Sequence, residues 1–599
     1  MGKLARIVVF TILLAGVGLG ASSSAAPGPA PTAVTLEVGT SATCAYHTIA
    51  AAIAAANPGD TIKVENTVFV ESPLVVSKDL TLAGGYHSAD PYSCLTLTGY
   101  NHTTVRRSGV TPAPILRINS AEVTITWFIF ENNANGSGLE VNNATLNLED
   151  SIARDNDNSG LLIDGGSDVT LVRAEVSGNS ANAGGGLNID GFSDVVADNT
   201  VIRDNSGWDH GAGVSLRVGS TFTASNNTSI RHNRTVLGCY QGGGIYASGT
   251  DTEVLIDASQ VISNTALTQG GGLYLDNGAQ ATIRNFSWFQ ENIAFGPASG
   301  AGGGVYLEGS GSTLNVHDSM FLSNWADPNG GGIWNQSGTV ELDRVLLLSN
   351  NAAQRGGALY TSLGPATVRN SIFLGNVATY NSGGAIATDR AALSVHRSYF
   401  AGNTSDLEGS AVFVDGANGP AEPAAEIVNC FMTDNTTTAA SVQGPAATGS
   451  TLYVDGTSAT IVHNTLAHNT QQASFGVYVG EDSDLELVNN IISGFYTGIR
   501  RVSMGTGTAT SDHDLFYNNY LNYDIGIVVT NPVLGNPAFV GLGNYHLTAA
   551  STAINAGVDA GLTVDYDGDS RPWAGGFDIG ADEFPNRRRS FLPAIRRGP

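Results

Sequence analysis

The sequence predicts an all-β fold, a solenoid of short parallel strands, on three observations. A glycine cluster followed by alternating apolar residues recurs at a nearly constant step. A second motif, an apolar residue, two variable residues and then Asn, runs in phase with it. The runs between them alternate with period 2 and carry no helical stripe.

The glycine clusters begin at Gly184, Gly242, Gly270, Gly302, Gly330, Gly356 and Gly383, and the steps from Gly242 onward are 28, 32, 28, 26 and 27 residues. The companion motif ends at Asn179, Asn205, Asn233, Asn264, Asn292, Asn324, Asn350, Asn376 and Asn403. Such a repeat is too short for a βα unit with its loops. Val, Ile, Leu, Phe and Thr fill its alternating runs, as strands require. Gly and Asn mark the corners because both tolerate positive φ. One coil can then pass around three short sheets and return one strand spacing along the axis. Identical corners stack, so the Asn amides can form a hydrogen-bonded ladder. Tandem β-sandwiches would need turns every 8–12 residues or so without a fixed phase. The motif count gives about thirteen coils and, at about 4.8 Å each, a rod of about 60 Å.

Composition narrows the function classes. The chain has 599 residues, 75 of them Gly, and a net charge of −26. Lysine occurs only at Lys3, Lys63 and Lys78. An acidic chain without a basic patch is a poor nucleic-acid binder, so no nucleic-acid partner is expected. The 42% hydrophobic content is too high for a disordered chain. No long apolar run follows the N-terminus, so no transmembrane segment is expected in the mature chain. Residues 1–26 read as an export signal: Lys3 and Arg6, an apolar run from Ile7 to Leu19, then small residues up to Ala26. Residues 27–33 read as a stiff Pro-containing linker. The expected location is therefore outside the cell or at its surface.

The paired motifs, Gly-Gly-Gly/Ala-Ile/Leu/Val and Phe-x-x-Asn, resemble the repeats of polymorphic outer-membrane proteins. More broadly they resemble the right-handed parallel β-helix proteins of the pectate-lyase-like superfamily, over roughly residues 120–545. The resemblance implies a single-stranded right-handed parallel β-helix with N- and C-terminal caps. It implies little about activity, because that superfamily holds lyases, hydrolases, esterases, epimerases and adhesins. On this reading residues 34–106 form the N-terminal cap and first coils, 107–545 the coils, 546–584 a closing segment and 585–599 a basic tail. The Ala-rich stretch from Tyr46 to Ala56, stopped by Asn57-Pro-Gly-Asp60, is helical in pattern and suits the N-terminal cap. A β-helix end exposes strand edges and apolar core and must be covered.

Four cysteines in an exported chain invite a disulfide reading. Cys44 and Cys94 both lie in the cap region and can meet. Cys239 and Cys430 are about seven coils apart, roughly 34 Å at one strand spacing per coil, beyond a disulfide's reach.

Catalytic signatures of the superfamily are absent. A β-elimination base of the Lys type is excluded within the coils, because no lysine follows Lys78. Trp208-Asp-His210 is one residue short of the lyase-like Trp-Ile-Asp-His string and reads as a chance match. The galacturonase carboxylate set and the esterase Gly-Arg-Pro-Trp are missing. A glycosidase needs only two suitably placed carboxylates. Residues 149–209 hold 12 acids, among them Asp155, Asp157, Asp190 and Asp204, beside Arg154 and Arg203; the stretch reads as a solvated acidic face. No cofactor is expected, except that Asp565, Asp567 and Asp569 sit on one tight turn in the manner of a calcium loop. The alternative is a turn whose acids pair with Arg571.

Strand parity adds a candidate binding surface. The residue after each glycine cluster is apolar and should face the core, so the next one faces out. That outward column reads Tyr246, Tyr274, Tyr306, Trp334, Tyr360, Ala387, Phe413, Tyr453 and Tyr478, with Asp276, Glu308, Asp389, Asp415 and Asp455 two residues further on. The functional expectation is a platform for a linear glycan or a cell-envelope component, with Tyr246, Tyr274, Tyr306, Trp334, Tyr360, Asp276 and Glu308 as contacts. The alternative is a ring-on-ring ladder that stabilises the sheet. Binding of a polysaccharide or surface partner is the leading function, with a carbohydrate-active enzyme, hydrolase before lyase, as the alternative. A purely structural surface component is the third possibility. The long step from Gly409 to Gly449 could carry an active-site wall.

Overall fold

The computed structural model describes residues 33–585 except 89–92, 96, 99–100, 237–240, 297–301, 417–424, 439–448, 469–473, 503–505, 542 and 574. The expected signal segment, the basic tail from 586 onward, Cys239 and two stretches of the long step after Gly409, 417–424 and 439–448, lie outside the described residues.

One coil shows how the sequence is used. With the sheets numbered in the chain order of their first strands, Ile245–Ser248 forms a strand of the third, Glu253–Asp257 of the first, Gln260–Ile262 of the second, and Thr265–Ala266 a short strand of a fourth. The chain then reaches Gly270 and begins the next coil, whose strand Leu273–Asp276 pairs in parallel, with Ile245 opposite Leu273 and Tyr246 opposite Tyr274. Repeated along the chain, this builds three long parallel sheets. The first runs from Thr35–Val38 to Val528–Thr530, the second from Val68–Glu71 to Val533–Leu534, and the third from Leu74–Val76 to Leu521–Tyr523. Inward residues such as Ile245, Ala247, Val254, Ile256 and Val261 are almost fully buried in one continuous core.

The architecture is therefore the expected parallel solenoid, but with more coils than the motif count gave. The third sheet contains 17 strands, because coils before Gly184 and after Gly409 lack the full glycine signature yet keep the apolar alternation. A fourth sheet of 10 short strands, from Ser180–Ala183 to Thr436–Thr437, was not anticipated.

The Asn ladder is present. Ten successive links join the side-chain amides from Asn156 to Asn435, each Nδ2 donating to the Oδ1 of the next Asn at 2.8–3.1 Å. The left-handed backbone, however, belongs to the residue before each Asn: Asp155, Asp204, His232, Ser263, Glu291, Ser323 and Ser349 all have φ near +50°. The Asn is there for its amide, which satisfies a buried N–H and a buried carbonyl of the preceding coil, as Asn205 does for Asn179 and Val176, and links to the Asn of the next.

At the N-terminal end the helix Ile49–Ala55, N-capped by Thr48, buries Ile49, Ala52 and Ile53 against the first coils. Asp60 stops it by accepting the amides of Asn57 and Val34. Cys44 and Cys94 form a disulfide there, and Cys430 is a buried free thiol. The C-terminal closing segment packs on Val533 of the last coil but leaves Val528 and Leu534 exposed. It folds back along the outer face of the second sheet, where Arg397, Asn429 and Asn489 donate to the carbonyls of Tyr566, Val564 and Val558. Ile491 and Leu515 point outward there and pack on Leu547, Ala553 and Ile579. No helix among the described residues is long and apolar enough to cross a membrane.

Candidate functional site

The outward column of the third sheet has the predicted parity. Tyr246, Tyr274, Tyr306, Trp334, Tyr360, Ala387 and Phe413 stand outside the main core and form a second apolar cluster of their own. They are not a solvent-facing platform, as the sequence had suggested. Tyr306 is 0% exposed and Trp334 only 8%. Two features cover them. The rings stack on one another along the axis, Tyr246 on Tyr274 and Tyr274 on Tyr306 at 5.3 Å with nearly parallel planes, and Trp334 meets Tyr306 edge-on. The fourth sheet lies alongside and contributes Ala326 to the cluster. The acid row is engaged too: the Tyr274 hydroxyl donates to Glu308 at 2.7 Å, Arg355 pairs with Asp415, and Arg390 with Asp389. Burial holds the Tyr274 and Tyr306 hydroxyls far above their ordinary range and raises the Asp276 carboxyl.

The column changes character toward the N-terminus. Strand register continues it from Tyr246 through Ser215 and Asn188 to Leu162. Where the rings stop, small and polar side chains leave a groove of about 840 Å³ between the third and fourth sheets. Its floor is Leu162 and Asn188, one wall is Ser180–Ala183 with Trp208 and Asp209, and Asp157 and Arg217 complete it. The wall strand Ser206–His210 pairs with Ser180–Ala183 through a register shift, Ala181 opposite Gly207 but Ala183 opposite His210. That extra residue re-aims its neighbours, as bulges beside binding sites do. Trp208 is half exposed and donates from Nε1 to Ser180 Oγ at 3.2 Å.

The polar chemistry of the groove is incompletely paired. Asn188 Oδ1, Ser215 Oγ, His210 Nδ1 and Arg217 Nε are buried without a hydrogen-bond partner among the described residues. Asn188 and Arg217 line the groove, and Ser215 and His210 lie on adjoining strands. His210 stacks on Tyr246 at 4.4 Å and closes the ring ladder. Burial pushes its imidazole below the usual histidine range, against the pull of Asp209 with Oδ1 at 3.4 Å. Asp157, Trp208 and Asp209 thus line one groove although 157 and 209 are 52 residues apart. The acidic stretch read as a solvated face is partly that: Asp204 pairs with Arg203, whereas Asp157 lines the groove. Of the Trp208-Asp-His210 string, Trp208 and Asp209 line the groove and His210 stacks on Tyr246. The available signal was the change from Tyr246 to Ser215 after a weaker glycine motif, Gly211-Ala-Gly213; the bulge itself had none.

The supposed calcium turn is used differently. Asp565 is fully buried, and its two oxygens accept the amides of Asp569 and Glu583. Arg571, also buried, pairs with Glu583 at 3.0 Å instead of the turn acids. Asp565, Asp567 and Asp569 therefore do not converge on one point. Asp567 instead meets His546 and Asp582, with ligand atoms all within 4.8 Å of one another.

Fold and groove define a single-stranded parallel β-helix with a lateral cleft. The family model described as a right handed beta helix region matches residues 97–261 and 232–404, together just over half of the chain, and the protein belongs to that family. Among solved structures the chain is similar to pectate lyase Pel9A at 15% identity, with a TM-score of 0.36, over 49% of this chain and 76% of that one. It is also similar to the alginate lyase AlyGC at 10% identity, TM-score 0.20, over 81% of this chain and 98% of that one. Likeness at this level carries no argument about activity. A search of curated proteins returns no match.

Proposed function

We propose that the protein acts outside the cell or at its surface by binding a polysaccharide or another polyhydroxylated envelope component in the lateral groove. The observation that carries this reading is the half-exposed Trp208 in one groove with Asn188 and Arg217, each with a polar atom unpaired among the described residues, and two carboxylates. A sugar ring offers an apolar face to an indole and hydroxyls that both donate and accept, which is what Asn188 Oδ1 and the carboxylates require. The aromatic row contributes indirectly, by fixing the depth of the cleft at His210.

The test is a glycan-array screen followed by titration of the best ligand against wild type and Trp208→Ala. Loss of the indole should weaken binding by about 1–3 kcal/mol, roughly 5- to 150-fold. Equal affinity for the two proteins would remove the groove from consideration. The presence of both Asp157 and Asp209 on the groove favours one alternative, glycoside hydrolysis. Release of reducing sugar that is lost in Asp157→Asn and Asp209→Asn would establish it. β-Elimination is less well served, since Arg217 is the one basic side chain among the described residues lining the groove and a guanidinium keeps its proton.

A further inference from the structure

We propose that His546, Asp567 and Asp582 form a site for a divalent transition-metal ion of the zinc class, which ties the closing segment together. This inference is independent of the groove. The three residues come from separate pieces of chain: the hairpin strand Asn544–Leu547, the turn at 565–569 and the segment ending at Glu583.

The hydrogen bonds around His546 fix its tautomer. Asn544 Oδ1 accepts the backbone amide of His546 at 3.1 Å, so this oxygen is identified as the acceptor end of the Asn side chain. The same Oδ1 lies 2.7 Å from His546 Nδ1, which must therefore carry a proton and donate. In the neutral imidazole Nε2 then presents a lone pair, and it faces Asp567 Oδ2 at 2.8 Å. Two acceptors face each other unless a positive charge joins them. A metal ion bound to both satisfies that arrangement. On metal entry the 2.8 Å N···O separation would widen to about 3.3–3.6 Å, the edge of a tetrahedral shell whose metal–ligand bonds are about 2.0–2.2 Å. The outward-donating Nδ1 is the usual support for a metal-bound imidazole. Asp582, almost fully buried, supplies the third ligand and is oriented by the Leu547 amide, which donates to its Oδ2 at 2.7 Å. The rings of Phe431 and Tyr566 flank the imidazole. A histidine with two carboxylates suits zinc and its neighbours; calcium takes oxygen ligands.

The rival arrangement is an imidazolium held between two carboxylates, and one experiment separates the two. Full-length protein stripped with a chelator is titrated with Zn²⁺, and separately with Ca²⁺, by calorimetry and thermal unfolding. Co²⁺ absorption reports on the ligand field. The expected result is one equivalent of Zn²⁺, a raised Tm, no response to Ca²⁺, and an intense visible Co²⁺ band that zinc displaces. Binding should be lost in His546→Gln and Asp582→Asn and kept in Asp569→Asn. Failure of the wild-type protein to bind Zn²⁺ or Co²⁺ would overturn the proposal, as would zinc binding that survives His546→Gln. Should a variant misfold, the wild-type titration and cobalt spectrum still decide.

Discussion

At the scale of single residues, burial separates what a side chain is from what it does. Trp334 looks like a ligand-stacking residue, yet it is 8% exposed, sits in a ring ladder, and has an Nε1–H without a partner among the described residues. Trp334→Ala should therefore lower stability by about 3–5 kcal/mol in denaturant titration and leave glycan affinity unchanged. Asp514 is the other telling residue. It ends a second, shorter polar ladder, Asn464 to Asn490 to Asp514, and is completely buried. Burial pushes its carboxyl up to about 7. A folded-state value above the unfolded one means the folded chain prefers the neutral acid. Its favourable contribution is complete below about pH 4 and is lost as pH rises through about 7. Asp514→Asn keeps the ladder without the charge. It should match wild type in urea titrations at pH 4 and exceed it by on the order of 1–3 kcal/mol at pH 8. A gap that does not grow with pH would refute this account.

At the scale of elements, the glycine cluster has two different reasons. Its first residue needs a left-handed backbone, with φ near +66° at Gly270. Its second needs the absence of a side chain: a Cβ on Gly271 would lie 2.5 Å from the carbonyl oxygens of both Gly303 and Ile293. That contact lets the fourth sheet approach the third and cover the aromatic column. Gly271→Ala should destabilise the coil by about 3 kcal/mol, the upper end for overpacking. Gly402, equally left-handed but with nothing within 4 Å of its Cβ, should accept Asn with little change in Tm. The motif's regularity thus encodes a lid over the rings, and the lid was invisible because strands of two or three residues leave no periodic signal.

At the scale of the whole molecule, 17 coil strands at about 4.8 Å give a rod of roughly 80 Å before the ends. Small-angle scattering should return an elongated particle of at least that length, and a compact sphere would contradict the solenoid. The closing segment adds breadth along the second sheet rather than length at the end. Cutting its anchors should show this: Asn489→Ala removes bonds to Val558 in both directions, so the closing segment should become protease-sensitive while the coils stay folded.

The sequence by itself determined the repeat, the parallel solenoid, the inward and outward parity of its strands and the Asn ladder. Each depends on local periodicity, which a fixed coil length converts directly into stacking. The pairing of Cys44 with Cys94 was legible for the same reason, since both fall in one cap. Tertiary structure alone decided which outward residues meet solvent. Outward parity does not distinguish Tyr306, covered by its neighbours and the fourth sheet, from Trp208, half exposed on a bulge. It also decided that the groove opens where the ring column gives way to Ser215 and Asn188, and that Asp567 leaves its turn partners for His546 and Asp582. Burial and convergence depend on what other stretches of chain lay over a residue, and no local pattern records that.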